Sequence, residues 1–255
     1  MLNVVSLLAA AALASLCGFQ ANAEIDSSNL VLENSIQRHP ASPRKSLHNF
    51  VRIKPTPPRS VHYIPKTVLE LECSVIGNPA PLVTWYKNGG LIENDQTSLN
   101  EILKPHSSSI CQVISKLVLT AAKDGDVYTC VGNNGLIQSR ASTTVYTQEI
   151  NGLQSLRGLT ALPLKPIIST YYDFIFQDQG TSLVLPCRVK SLGDVKMYWM
   201  DPEQKIVYSN SRLQVLPSGD LLVMDLDFDL DMGNYTCTAE NVFGKVSVDT
   251  FVYPL

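Results

Sequence analysis

Cysteine is the residue type with the clearest chemical potential in this 255-residue chain. Six are present, and Cys17 falls in an apolar leader. That leaves Cys73, Cys111, Cys130, Cys187 and Cys237, an odd number, so one thiol stays unpaired or bonds outside the chain. The sequence has no Cys-x-x-Cys, and its four histidines, His39, His48, His62 and His106, are isolated, so a zinc site is poorly supported. Gly-x-Ser-x-Gly, His-Glu-x-x-His and a Walker loop are missing, and with them the converging titratable groups that catalysis needs. The expectation is a non-enzyme without cofactor or metal. Asp225, Asp227, Asp229 and Asp231 invite a calcium reading, but the sixth and twelfth positions of an EF-hand loop are not Gly and Glu in either register. Their alternation with Met224, Leu226, Phe228 and Leu230 reads instead as a strand running into a corner. Asn234-Tyr235-Thr236 is the only N-glycosylation sequon, with Asn234 as its acceptor.

These residues need elements to position them. Residues 1–23 read as a signal peptide: an apolar run from Val4 to Leu16, then Ala21-Asn22-Ala23. No later stretch approaches membrane-spanning length, so a secreted chain without membrane insertion is expected. At 45% hydrophobic, 17% charged and net charge -3, the chain is neither a disordered polyelectrolyte nor a basic nucleic-acid binder. Charge is uneven. Residues 24–66 hold seven Lys or Arg against three Asp or Glu, and residues 168–255 hold six against twelve. Residues 24–58, with five prolines, read as a flexible basic arm.

An internal repeat organises the rest. Trp85 follows Cys73 by twelve residues, Trp199 follows Cys187 by twelve, and each pair precedes Tyr-x-Cys: Tyr128-Thr129-Cys130 and Tyr235-Thr236-Cys237. The pattern is that of an immunoglobulin-type sandwich, occurring twice. It implies an all-β chain of two tandem, intermediate-set-like domains, residues 59–147 and 166–255, joined by a linker at 148–165. It also implies disulfides Cys73–Cys130 and Cys187–Cys237 crossing the two cores, each packed by its tryptophan. Such a loop closure is worth about 4 kcal/mol on the entropic model. Strand parity agrees: Leu69, Leu71 and Val75 share the face of Cys73, while Leu183, Leu185 and Val189 share that of Cys187.

Tyr128 and Tyr235 are expected to form tyrosine corners, their hydroxyls reaching back to backbone. Asp231 is paired with Arg212 in this reading. Asp126 stands where the pattern prefers Gly or Ala, which predicts a looser first corner. Leu153, Leu156, Leu159 and Leu162 in the linker are read as covering the interdomain crease or, alternatively, as a partner-binding stripe. Cys111 has the parity of Leu117 and Leu119 and is expected inside. The other orientation would expose it for a disulfide-linked homodimer.

A closer resemblance rests on Leu185-Pro186-Cys187-Arg188-Val189, Gly219-Asp220-Leu221-Leu222, Asp231-Met232-Gly233-Asn234-Tyr235 and Asp249-Thr250-Phe251-Val252-Tyr253-Pro254. Tyr128-Thr129-Cys130-Val131-Gly132 and Thr56-Pro57-Pro58 add to it. Over roughly residues 50–255 the chain resembles the insect neural/ectodermal development factor family (imaginal morphogenesis protein Late two). The resemblance implies a secreted two-domain protein that binds insulin-like peptide hormones and antagonises insulin signalling and growth. It departs from the family in Cys111 and in a Leu226–Asp231 turn one residue longer. Architecture alone would suit equally a secreted adhesion or neural-guidance module binding a cell-surface receptor. Parity turns Phe251 and Tyr253 on strand G, and Tyr198 and Met200 on strand C, to the outer face of one sheet. Four large side chains there exceed scattered surface hydrophobes; they are expected either to contact the ligand or to be covered by the interdomain linker, which would make them structural.

Overall fold

The computed structural model describes residues 48–65, 67–92, 108–148 and 165–255. The expected signal peptide, the arm up to residue 47 and linker residues 149–164, with their leucines, lie outside the described residues. The first domain comprises β1 (Phe50–Ile53), β2 (Ser60–Tyr63), β3 (Leu69–Asn78), β4 (Leu82–Lys87), β5 (Gly90–Leu91), β6 (Ile110–Leu119), β7 (Asp126–Asn133) and β8 (Gln138–Thr147). The second comprises β9 (Ile167–Gln177), β10 (Leu183–Leu185), β11 (Arg188–Lys190), β12 (Lys196–Met200), β13 (Leu213–Val215), β14 (Leu221–Val223), α1 (Phe228–Asp231), β15 (Gly233–Asn241) and β16 (Gly244–Pro254). Phe50–Ile53, expected within the arm, is therefore a strand, and it pairs antiparallel with β3. Val51 and Ile53 are its buried residues, so it belongs to the first core.

The disulfides join Cys73 to Cys130 and Cys187 to Cys237, with Cα separations of 6.4 and 6.5 Å. Trp85 and Trp199 are buried in the two cores. Each indole N–H has an acceptor: Trp85 Nε1 donates to Ser115 Oγ at 3.0 Å, Trp199 Nε1 to the Gly219 carbonyl at 2.9 Å. A buried indole without an acceptor would forfeit part of what its burial contributes. Gly132 must be glycine, because a Cβ there would collide with Val75 across the sandwich.

The two sandwiches are not separate. One eight-stranded sheet runs β1-β3-β6-β9-β16-β15-β12, with β11 also on β9. Strand β9 pairs antiparallel with β6 over six registered positions, Ile110↔Phe176 to Ser115↔Thr170, with a bulge at Gln112/Val113. It pairs parallel with β16 on its other side. Cys111, Ile175 and Val252 are in register across β6, β9 and β16, and all are buried. Both cores therefore lie on the same side of this sheet and form one hydrophobic cluster. Residues 46–255 accordingly make one compact unit.

Three local expectations are corrected. Residues 183–189 are not one strand: Pro186 has no N–H to give, and the Cys187 amide donates to Asp220 Oδ1 at 3.0 Å instead of to a ladder. The chain thus changes sheets, β10 pairing with β14 and β11 with β9. Asp225–Asp231 is not strand: β14 stops at Val223, and Asp227 caps a single helical turn by accepting from the amides of Asp229 (2.9 Å) and Leu230 (3.1 Å). At the corner, the Tyr235 hydroxyl donates to Asp231 Oδ1 at 3.3 Å rather than to backbone. Asp231 in turn holds Arg212 Nη2 at 2.5 Å.

At the first corner the expected tyrosine corner does not form, because the buried Tyr128 hydroxyl reaches no backbone acceptor, whereas Asp126 anchors the turn instead of loosening it. Its buried carboxylate accepts from Lys87 Nζ at 2.8 Å, Asn88 Nδ2 at 2.9 Å and the Lys123 amide at 2.8 Å. The Lys87 ammonium also lies 5.6 Å from the Tyr128 ring centroid. Burial pushes the Asp126 carboxyl up, but the hydrogen bonds from Lys87, Lys123 and Asn88 outweigh it and hold it at about 2. A depressed carboxylate contributes stability above its unfolded value, near 3.9, and that contribution disappears as pH falls through the folded value. Asp126→Asn is therefore expected to be less stable than the parent at pH 7. The difference in thermal midpoint should shrink between about pH 4 and about pH 2. Melting curves of both proteins across that window check it, and a constant difference would contradict the assignment.

Candidate functional site

The side of the shared sheet opposite both cores carries an aromatic cluster where the domains join. In β9, Ile175 is buried toward the cores, so its neighbours Phe174 and Phe176 project from the other side. In β16, Val252 is buried and Phe251 and Tyr253 project. Parallel register sets Phe251 beside Phe174 and Tyr253 beside Phe176. The rings touch: Phe174–Phe176 centroids are 5.2 Å apart, Phe176–Tyr253 5.5 Å edge-on, and Phe251–Tyr253 6.4 Å. Phe228, carried by the capped turn α1, meets Tyr253 edge-on at 5.5 Å. Two of these contacts are edge-to-face and two are tilted, all within the centroid range at which aromatic pairs attract. Phe251 is exposed, and Phe174, Phe176, Phe228 and Tyr253 are half-buried.

The cluster continues onto the first domain. Register carries one row from Asn234 through Phe251, Phe174, Gln112 and Ile76 to Arg52, spanning six strands. A second row joins Tyr253, Phe176 and Ile110. Gln112 Nε2 donates to Ser74 Oγ at 2.8 Å, which fixes the polar patch between the apolar side chains of β3 and β6. The face can offer apolar and aromatic contact on a rigid backbone already satisfied by ladder hydrogen bonds. Among the described residues it has no converging nucleophile and base.

Of the four residues expected to contact a ligand, Phe251 and Tyr253 fall inside the cluster. Tyr198 and Met200 lie on the same side but apart from it. Between them and β16 stands β15, whose outer side chains there are polar: Thr236 donates to Asp249 at 2.6 Å, and Thr238 shares a hydrogen bond with Ser247 at 2.9 Å. Lys245 places its ammonium 5.4 Å over the Tyr198 ring. The aromatic face thus grows toward β9, not toward β12. Phe174, Phe176 and Phe228 were not expected from sequence. The alternation Phe174-Ile175-Phe176 was a usable signal, but only with knowledge that β9 lies beside β16.

Asn234 is exposed in β15, opposite Phe251 in register. Among the described residues, no helix is long and apolar enough to cross a membrane and no group of three or more His, Cys, Asp or Glu could hold a metal ion.

Comparison with known proteins agrees with this architecture. Residues 52–134 match an immunoglobulin-domain model and residues 168–253 an immunoglobulin I-set model. The chain is 31% identical to neural/ectodermal development factor IMP-L2 of Drosophila melanogaster over 239 residues, 91% of this chain and 87% of that protein. It is 31% identical over 240 residues to the Zwei Ig domain protein zig-4 of Caenorhabditis elegans, covering 91% and 89%. The crystal structure of IMP-L2 superposes with a TM-score of 0.68 at 28% identity, covering 82% of this chain and 96% of that one.

Cys111 lies beneath the face, on the core side, between Gly77 of β3 and Ile175 of β9. It is fully buried and has no sulfur partner. Burial pushes its thiol far above the usual range, so almost no thiolate forms at neutral pH. Tyr172, also buried, is its neighbour across the domain junction. A maleimide reagent is expected to leave the native chain unmodified at pH 7.5 and to label one thiol when denaturant is added. Immediate stoichiometric labelling would contradict burial, and a reductant-sensitive dimer absent in Cys111→Ser would show an exposed thiol.

Proposed function

The chain belongs to the immunoglobulin-domain family represented by neural/ectodermal development factor IMP-L2, and on that premise we propose that it is a secreted binding protein that sequesters insulin-like peptide hormones and so antagonises insulin signalling and growth. The observation that carries the reading is the aromatic cluster of Phe174, Phe176, Phe251 and Tyr253 on the outer side of the shared sheet. Insulin-like hormones are small folded peptides with apolar and aromatic contact surfaces. A flat, half-exposed aromatic patch complements such a surface. Its rings are held by mutual packing, so little side-chain freedom is lost on association. Antagonism then needs no chemistry: hormone held on this face is withdrawn from its receptor by mass action. The two disulfides suit an oxidising extracellular compartment.

A direct titration of the full secreted chain with labelled insulin-like peptide tests the proposal. Saturable binding is expected, and Phe251→Ala and Phe176→Ala should each weaken it by about 2 kcal/mol, roughly thirtyfold, as for central aromatic anchors. Val242→Ala, at the exposed β15–β16 hairpin tip, should leave it unchanged. Unaltered affinity in both aromatic variants, with melting curves showing them folded, would remove this face from the site.

A further inference from the structure

Asn234 stands at the end of the aromatic row. Tyr235 and Cys237 are buried, so strand alternation turns Asn234 out, and it is exposed on the side that carries Phe251. Neighbouring strands are about 4.8 Å apart, which puts Asn234 one strand from Phe251 and about 10 Å from Phe174. A branched oligosaccharide is longer than either distance. We propose that Asn234 carries an N-linked oligosaccharide, and that this sugar screens the Phe251 end of the aromatic face and narrows what the face can bind.

The chemistry is transfer from a lipid-linked pyrophosphoryl oligosaccharide in the secretory lumen. Asn234 Nδ2 attacks the anomeric carbon, a C–N bond forms, and the C–O bond to the pyrophosphate breaks. The lipid pyrophosphate leaves and the amide loses one proton. Recognition of the sequon needs the Thr236 hydroxyl and an extended acceptor. In the folded protein that hydroxyl is buried and donates to Asp249 at 2.6 Å, and β15 is paired along both edges. Transfer therefore precedes the closing of β15 between β12 and β16. The same strand order that hides Thr236 afterwards leaves the sugar outside, beside Phe251. Two forms of one chain then differ in the width of the face according to which event came first.

The effect on hormone rests on the proposed function, whereas the site and the screening do not. The test uses the full chain secreted from eukaryotic cells, with Asn234→Gln as the unmodified form. Peptide mapping should find the oligosaccharide on Asn234 in the parent, and an unmodified Asn234 would overturn the proposal. Hydroxyl-radical footprinting should oxidise Phe251 several-fold more in Asn234→Gln than in the glycosylated parent, with Tyr146, exposed on β8 in the first domain's other sheet, equal in both. Equal oxidation of Phe251 would overturn the screening. Insulin-like peptide should bind Asn234→Gln several-fold more tightly, and equal affinity would overturn the consequence for hormone. If neither form binds the peptide, the functional reading falls while mapping and footprinting still decide the site.

Discussion

The pairing of β9 with β6 is the contact on which the rest of the molecule depends. Without it, β6 would end the first domain's sheet with a row of unsatisfied amides and carbonyls, the usual liability of a sheet edge. The second domain covers that edge with its own first strand over six registered positions. Because β9 also pairs with β16, the two sheets become one and both cores fall on one side of it. The opposite side is left as a single surface crossing the domain boundary. Phe174 and Phe176 come from the bridging strand itself, and Phe251 and Tyr253 from its parallel neighbour. Remove the bridge, and the surface ends at β9, without Ile110 and Gln112 of β6 beside the rings. The Thr250 hydroxyl, donating to the Tyr172 carbonyl at 2.6 Å, ties β16 to β9 beneath the same surface.

Much of this was written in the sequence, and the missing parts share a cause. The doubled Cys…Trp…Tyr-x-Cys spacing and the period-two alternation around Cys73 and Cys187 are local signals, and they located both sandwiches. Parity on strand G correctly turned Phe251 and Tyr253 outward. What escaped depends on partners distant in sequence. Backbone pairing of β6 with β9 leaves no side-chain signature. Asp126 read as an intruder at a corner because Lys87 and Asn88, which hold it, lie on another strand. The Asp225–Asp231 alternation fits a strand by period alone, but an aspartate free to cap two amides stabilises a turn instead. Tyr198 and Met200 have the right orientation and the wrong neighbours, since the polar outer side of β15 isolates them from the cluster.

The same economy of parts bears on function. A sandwich with one disulfide and a buried tryptophan is a rigid platform, and joining two through a shared sheet keeps the platform rigid where it is widest. Rigid aromatic surface is well suited to holding a folded peptide, because ordering costs on the protein side are small. The polar strip along β15 and the exposed Asn234 bound the cluster on one side, and Gln112 with Ser74 interrupt it on the other. The aromatic cluster is therefore centred on β9 and β16, at the domain junction.

Photo-cross-linking tests that placement most directly. An insulin-like peptide bearing a photoreactive aromatic residue would be bound to the intact chain, irradiated and mapped by mass spectrometry. The account predicts attachment within β9 (Ile167–Gln177) and β16 (Gly244–Pro254) at their outward residues. Attachment confined to the exposed hairpin tips, around Leu136 or Val242, with the junction strands unlabelled, would contradict it.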